Sequence, residues 1–159
     1  MKKSLHEKQS LVGIWRLTFR DAKTNKIKRV LEFKNIIPTV GRNNIAKALA
    51  SDLSAISEAQ INKSSLGTGS TAPANGDTTL ETETFRKDTA STTSSGNQLF
   101  VTAFYTAVEV TGTFSEAGLH IDGTASVDTG ILFSRVVFSP AVTKSVTETL
   151  TVDYTVTIT

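Results

Sequence analysis

The sequence predicts a mainly β protein, an antiparallel β-sandwich of jelly-roll-like type with one short α-helix near residues 42–54. Three observations lead there. Threonine is the commonest residue, and from Leu80 onward it alternates with Val, Leu, Ile, Phe and Tyr, the composition of a pleated, half-buried surface. A 3.6-residue period occurs once with conviction, between two β regions. The chain has 159 residues and no cysteine, enough length to bury a single core without disulfide staples.

Taken in order, LVGIWRLTF places Leu11, Trp15, Leu17 and Phe19 on one face, the polar DAKTNK follows, and IKRVLEF resumes the apolar pattern, so a β-hairpin is predicted. In NIIPTVGRNNIAKALASDLS, Ile45, Leu49 and Leu53 recur every fourth residue, with Asn43 or Asn44 placed to cap a helix. LETETFRKDTAST reads as a polar strand and STTSSG as a hairpin loop. NQLFVTAFYTAVEV is apolar on both faces and predicts a deeply buried strand, and GILFSRVVF predicts another. The clearest strand is the last, TETLTVDYTVTIT, with Leu150, Val152, Tyr154, Val156 and Ile158 on one face and Thr149, Thr151, Asp153, Thr155 and Thr157 on the other.

Net charge is only +2, but it is unevenly placed. Residues 1–47 carry twelve Lys/Arg against three Asp/Glu, and residues 48–159 carry five against twelve. Such a two-ended chain suits nucleic acid or an acidic protein surface, which can be a second copy. The basic segment holds Arg16, Arg20, Lys23, Lys26, Lys28, Arg29 and Lys34. Trp15 and Phe19 lie among these cations as in single-strand binders, yet they share a face with Leu11 and Leu17, so core packing explains them better. A docking surface formed by Arg16, Arg20, Lys23, Lys26, Lys28 and Arg29 is therefore expected, with strand-edge contacts supplying affinity once charge has oriented the partners. No apolar run approaches the roughly 18 residues a membrane span needs, and MKKSLHEKQS lacks the apolar centre of an export signal.

Residues 66–80, LGTGSTAPANGDTTL, hold three glycines, a proline and an Asn-Gly pair. A phosphate loop would end in Gly-Lys-Ser/Thr at a helix start, whereas here no lysine appears before Lys87. Leu66 and Leu80 anchor the ends and Pro73 and Asn75-Gly76 suit particular turns, so a shaped loop is expected, ordered by a neighbouring protein in an assembly, with Gly67, Gly69 and Pro73 as contact residues. Catalytic constellations are sparse. His120 beside Asp122 reads as a turn residue, Ser115 next to Glu116 lacks the glycine-flanked turn of a nucleophile, and Glu81 and Glu83 suit a solvated strand. Glu116, Asp122 and Asp128 could approach a calcium ion but lack EF-hand spacing. No enzyme, cofactor or metal centre is assigned.

Read in order, NIIPTVGRNNIAKALA, LGTGSTAPANGDTTLETETFRK, GTFSEAGLHIDG and LFSRVVFSPAVTKSVTETLTVDYTVTIT resemble a tail-fibre and tail-collar domain of tailed bacteriophages. The matching positions are Asn35 and Gly41; Leu66, Gly67 and Gly69; Ala72 and Pro73; Asp77 and Thr78; Leu80, Glu83 and Arg86; Glu116, Gly118 and Leu119; Pro140, Thr143 and Lys144. The resemblance covers residues 35–159 and implies a non-enzymatic structural protein of a virion, at the tail baseplate or fibre attachment point. Its implied partners are other virion proteins, including further copies of itself, a trimer among the options, and it would be assembled in the host cytoplasm. A capsid decoration protein that cements the head surface is the alternative, and a nucleic-acid-binding module ranks below both. Residues 1–34 are expected as a basic hairpin extension joined to a 35–159 sandwich in one continuous domain.

Overall fold

The computed structural model describes residues 10–52 and 59–159. Its elements are β1 (Leu11–Asp21), β2 (Ile27–Lys34), α1 (Thr39–Leu49), β3 (Ile61–Gly67), β4 (Glu83–Asp88), β5 (Ser91–Ser95), β6 (Gln98–Tyr105), β7 (Gly112–Ile121), β8 (Ile131–Lys144) and β9 (Glu148–Ile158). The strands form an antiparallel β-sandwich, with a five-stranded sheet ordered β2-β1-β9-β6-β5 and a four-stranded sheet ordered β4-β3-β7-β8. Successive hairpins alternate between the sheets, and β9 then inserts between β1 and β6.

The alternation of the last strand is the one the fold uses. Leu150, Val152, Tyr154 and Val156 are buried, and opposite them β1 contributes Trp15 and Leu17, with Trp15 and Tyr154 ring centroids 5.3 Å apart. The β1–β2 hairpin closes through Asp21, whose carboxylate accepts the Lys23 and Thr24 amides, while Asn25 takes φ 58°, a left-handed conformation that Asn tolerates. This hairpin is not an appended extension. β1 is hydrogen-bonded on both sides and Trp15, Leu17 and Phe19 are fully buried, because an apolar stripe of that size needs the second sheet to cover it.

The helix begins about a turn before the predicted start, and Leu53 falls outside the described residues. Pro38, with φ −60°, occupies the N-cap, and its carbonyl accepts the Arg42 amide at 3.1 Å, so neither Asn43 nor Asn44 caps it. Gly41 and Asn44 form the buried side, Ile45 packs partly against the core, and Leu49 is 85% exposed. Gly41 sets this orientation: a Cβ there would stand 2.8 Å from the Phe133 carbonyl oxygen, so its absence lets α1 lie directly on β8.

Three strands escaped the sequence pattern. LETETFRKDTAST does not run as one strand but crosses between the sheets, β4 ending at Asp88 and β5 starting at Ser91. The segment read as a loop, STTSSG, is mostly β5, with the turn confined to Gly96, at φ 56°, and Asn97. β3 and β7 carry buried polar residues where a half-buried strand would be apolar: Ser64, Ser65, Glu116 and His120. Their burial leads to the site.

Candidate functional site

On β7 the alternation splits the side chains cleanly. Ala117, Leu119 and Ile121 enter the core, while Glu116, Gly118 and His120 fall on the other face of the four-stranded sheet, where they are also buried. What covers them is the 66–80 loop. Leu80 is buried against Gly118, where an added Cβ would meet Leu80 Cδ2 at 3.0 Å. A loop rich in turn residues thus acts as a roof, and the sheet beneath it must satisfy the loop's backbone.

Glu116 does so. One carboxylate oxygen accepts the amides of Gly69 at 3.1 Å and Thr82 at 2.7 Å, and the other accepts the Glu81 amide at 3.1 Å and Arg135 Nε at 3.0 Å. Arg135, from β8, pairs further with Asp77 at 2.7 Å and donates to the Thr71 carbonyl at 3.1 Å. Burial alone would lower the Arg135 pKa, but its hydrogen bonds to Asp77 and Glu116 and their negative charges prevail and raise it, so the guanidinium stays charged. Asp77 also accepts the Ala74 amide, and Glu81 accepts both the amide and hydroxyl of Thr71, hydrogen bonds that lower its pKa. The loop is tied to α1 as well, since the Asn75 carbonyl accepts the Thr39 amide and its side-chain oxygen accepts from Arg42. Within the chain this loop is already held through one buried carboxylate and one buried guanidinium.

Gly67 and Gly69 permit close approach inside the chain. A Cβ on Gly67 would overlap the Thr82 carbonyl, and one on Gly69 would stand 2.5 Å from Glu116 Oε1. Pro73 is half-buried in the loop.

A second buried cluster adjoins the first. Glu83 and Arg86 form an ion pair at 2.5 Å with both side chains buried, and Arg86 reaches across to the Thr129 carbonyl at 2.8 Å, holding the β7–β8 connection. His120 is not a turn residue but a buried member of β7, 2.7 Å from the Ser65 hydroxyl and 3.9 Å from Glu83. Burial and then the Arg86 charge push its pKa down to about 4, so it is neutral at pH 7. Ser65, His120 and Glu83 contain the residue types of a hydrolase triad in the wrong arrangement. The serine and the carboxylate both approach Nε2, whereas a triad uses the two ring nitrogens separately, and the Ser65 residue is fully buried. Glu81 and Glu83 also separate, Glu81 binding Thr71 while Glu83 binds Arg86. Glu116 is engaged by the loop and Arg135, away from any cation role with Asp122 or Asp128, and among the described residues no group of three potential ligands surrounds a metal position. Lys144 is buried too, its ammonium donating to the carbonyls of Ala107 and Glu109, and burial lowers its pKa.

The basic hairpin belongs to the other sheet and does not join this site. Its charges are partly neutralised within the chain. Arg29 lies 3.7 Å over the Phe19 ring and pairs with Glu148 at 2.7 Å, and Lys28 pairs with the same carboxylate at 3.2 Å. Arg16 faces Glu32 at 3.7 Å, and Arg20 donates to the Asn25 carbonyl. Lys23 and Lys26 remain exposed at the turn. The basic segment and acidic body expected to meet between copies meet first inside one copy, at Glu148, the residue that sequence reading passed over. No family model matches this chain, and neither a curated protein nor a solved structure matches it.

Proposed function

We propose that this protein is a non-enzymatic structural component of a tailed-phage virion, at the tail baseplate or fibre attachment point, where it docks on other virion proteins. One observation carries the reading. Eight of the residues that bear the resemblance, scattered through the sequence, come together as one load-sharing network: Gly67, Gly69, Asp77, Leu80, Glu116 and Gly118 build the roofed loop, and Glu83 with Arg86 fixes the neighbouring connection. Their chemistry is that of shape. Each buried polar group in the network is met by another from the same chain, which suits a rigid building block. Asn35 and Gly41, the first phrase of the resemblance, do related work. Asn35 donates to Ser134 and Tyr154 in the core, and Gly41 seats the helix.

The head-decoration alternative shares this chemistry and differs in stoichiometry. Quantitative mass spectrometry of purified particles from a phage encoding the chain separates them. A copy number of a few to tens supports the tail, hundreds support the head, and absence from intact particles overturns the virion reading. Nucleic-acid binding draws less support, because Arg29 and Lys28 are engaged by Glu148 and Arg16 lies beside Glu32.

A further inference from the structure

The two outer faces of the sandwich differ. That of the four-stranded sheet is roofed by the 66–80 loop, whereas on the five-stranded sheet Val12, Ile14 and Phe104 are 43%, 42% and 42% exposed. We propose that the outer face of the five-stranded sheet is a self-complementary interface that binds a second copy of this chain. The inference does not depend on the virion reading.

The register defines the face. Across β1, β9 and β6 run three rows: Ile14, Thr155 and Phe100; Arg16, Asp153 and Thr102; Thr18, Thr151 and Phe104. Two apolar and threonine rows flank one charged row. Asp153 accepts the Thr102 hydroxyl at 2.8 Å but has no cationic partner among the described residues, and Arg16 has only the exposed Glu32 at 3.7 Å. A cation and an anion that are cross-strand neighbours, but not closed into an ion pair with each other, therefore stand side by side at the centre.

A two-fold axis running along the strands between β1 and β9 matches them. It lays β1 of one copy on β9 of the other, so that Arg16 meets Asp153 of the second copy twice, and Ile14 covers Thr155 twice. One strand further out, β6 then lies on β2, and Phe104 meets Val30 because Val30 shares its row with Thr18. Aligned packing of twisted sheets at roughly 30° preserves these central contacts. Sheet edges offer less. Of the four edge strands, β5 is STTSS and β4 is ETFRKD, polar or charged edges that oppose strand addition. Four strands about 4.8 Å apart and about seven residues long give a footprint of roughly 450 Å² per copy, about 900 Å² in total, below the roughly 1,200 Å² of stable specific interfaces and in the range of weak, transient ones. The dimer is consequently weak in dilute solution.

Sedimentation equilibrium of the chain tests this, with circular dichroism as the check on folding. Wild type should show a reversible monomer–dimer equilibrium, and Arg16→Asp and Asp153→Arg should each weaken it about tenfold or more by placing like charges together. Mixing the two single variants should restore association, because each variant supplies the charge that the other lacks. That rescue cannot arise within one chain. A wild type that stays monomeric up to about 1 mM, reversals without effect, or a mixture no better than its components each overturns the proposal.

Discussion

Replacing Glu116 by Gln tests whether one carboxylate holds the roofed loop. The substitution keeps the shape and the oxygen facing Gly69 and Thr82, but presents an amide NH₂ to the Glu81 amide and Arg135, which are themselves donors. Arg135, 3% exposed, would then hold its charge on Asp77, on the Thr71 carbonyl and, at 3.7 Å, on the more exposed Glu81. Removing one partner of a buried pair costs about 3 to 5 kcal/mol, a large part of the roughly 5 to 15 kcal/mol that stabilises a domain. Urea unfolding should register that loss, and amide hydrogen exchange should show Gly69, Glu81 and Thr82 losing protection before the core strands. Arg135→Met should cost a similar amount, and the double variant should cost clearly less than the sum of the two, since both remove the same pair. A loss below about 1 kcal/mol with unchanged exchange at those three amides would refute the argument, since a solvated pair is worth no more than that.

Two other outcomes follow from buried geometry. His120, with its pKa pushed down to about 4 against about 6.5 unfolded, makes the unfolded chain bind a proton first as pH falls. Its contribution is full above pH 6.5 and declines toward pH 4 by about 3 kcal/mol, so His120→Gln should flatten that part of the stability profile, and an unaltered profile would count against it. Gly41→Ala should lower the melting temperature, because a Cβ 2.8 Å from the Phe133 carbonyl oxygen lifts the helix from β8 at about 1 to 3 kcal/mol, more than the roughly 1 kcal/mol of helix propensity that alanine adds. A higher melting temperature would show that the seat is not tight.

Local pattern determined the strands whose two faces differ. β9, β1 and β2 were legible because a period of two, with turn chemistry at Asp21 and Asn25, needs only one strand and its own hairpin to be recognised. The apolar ends of the 66–80 loop were equally plain, as were its turn residues. What the pattern could not carry was the occupant of the space beneath that loop. Glu116, His120, Ser65 and Arg135 look like surface residues one at a time, and each becomes buried only because a partner from a distant strand supplies its hydrogen bonds. The same holds for α1, whose apolar residues suggested one face while Gly41, lacking a side chain, settled another by the close approach it permits to β8. Sequence fixes what a segment prefers on its own, and the tertiary structure decides wherever the free energy lies in a pairing between segments, as it does for every buried charge here.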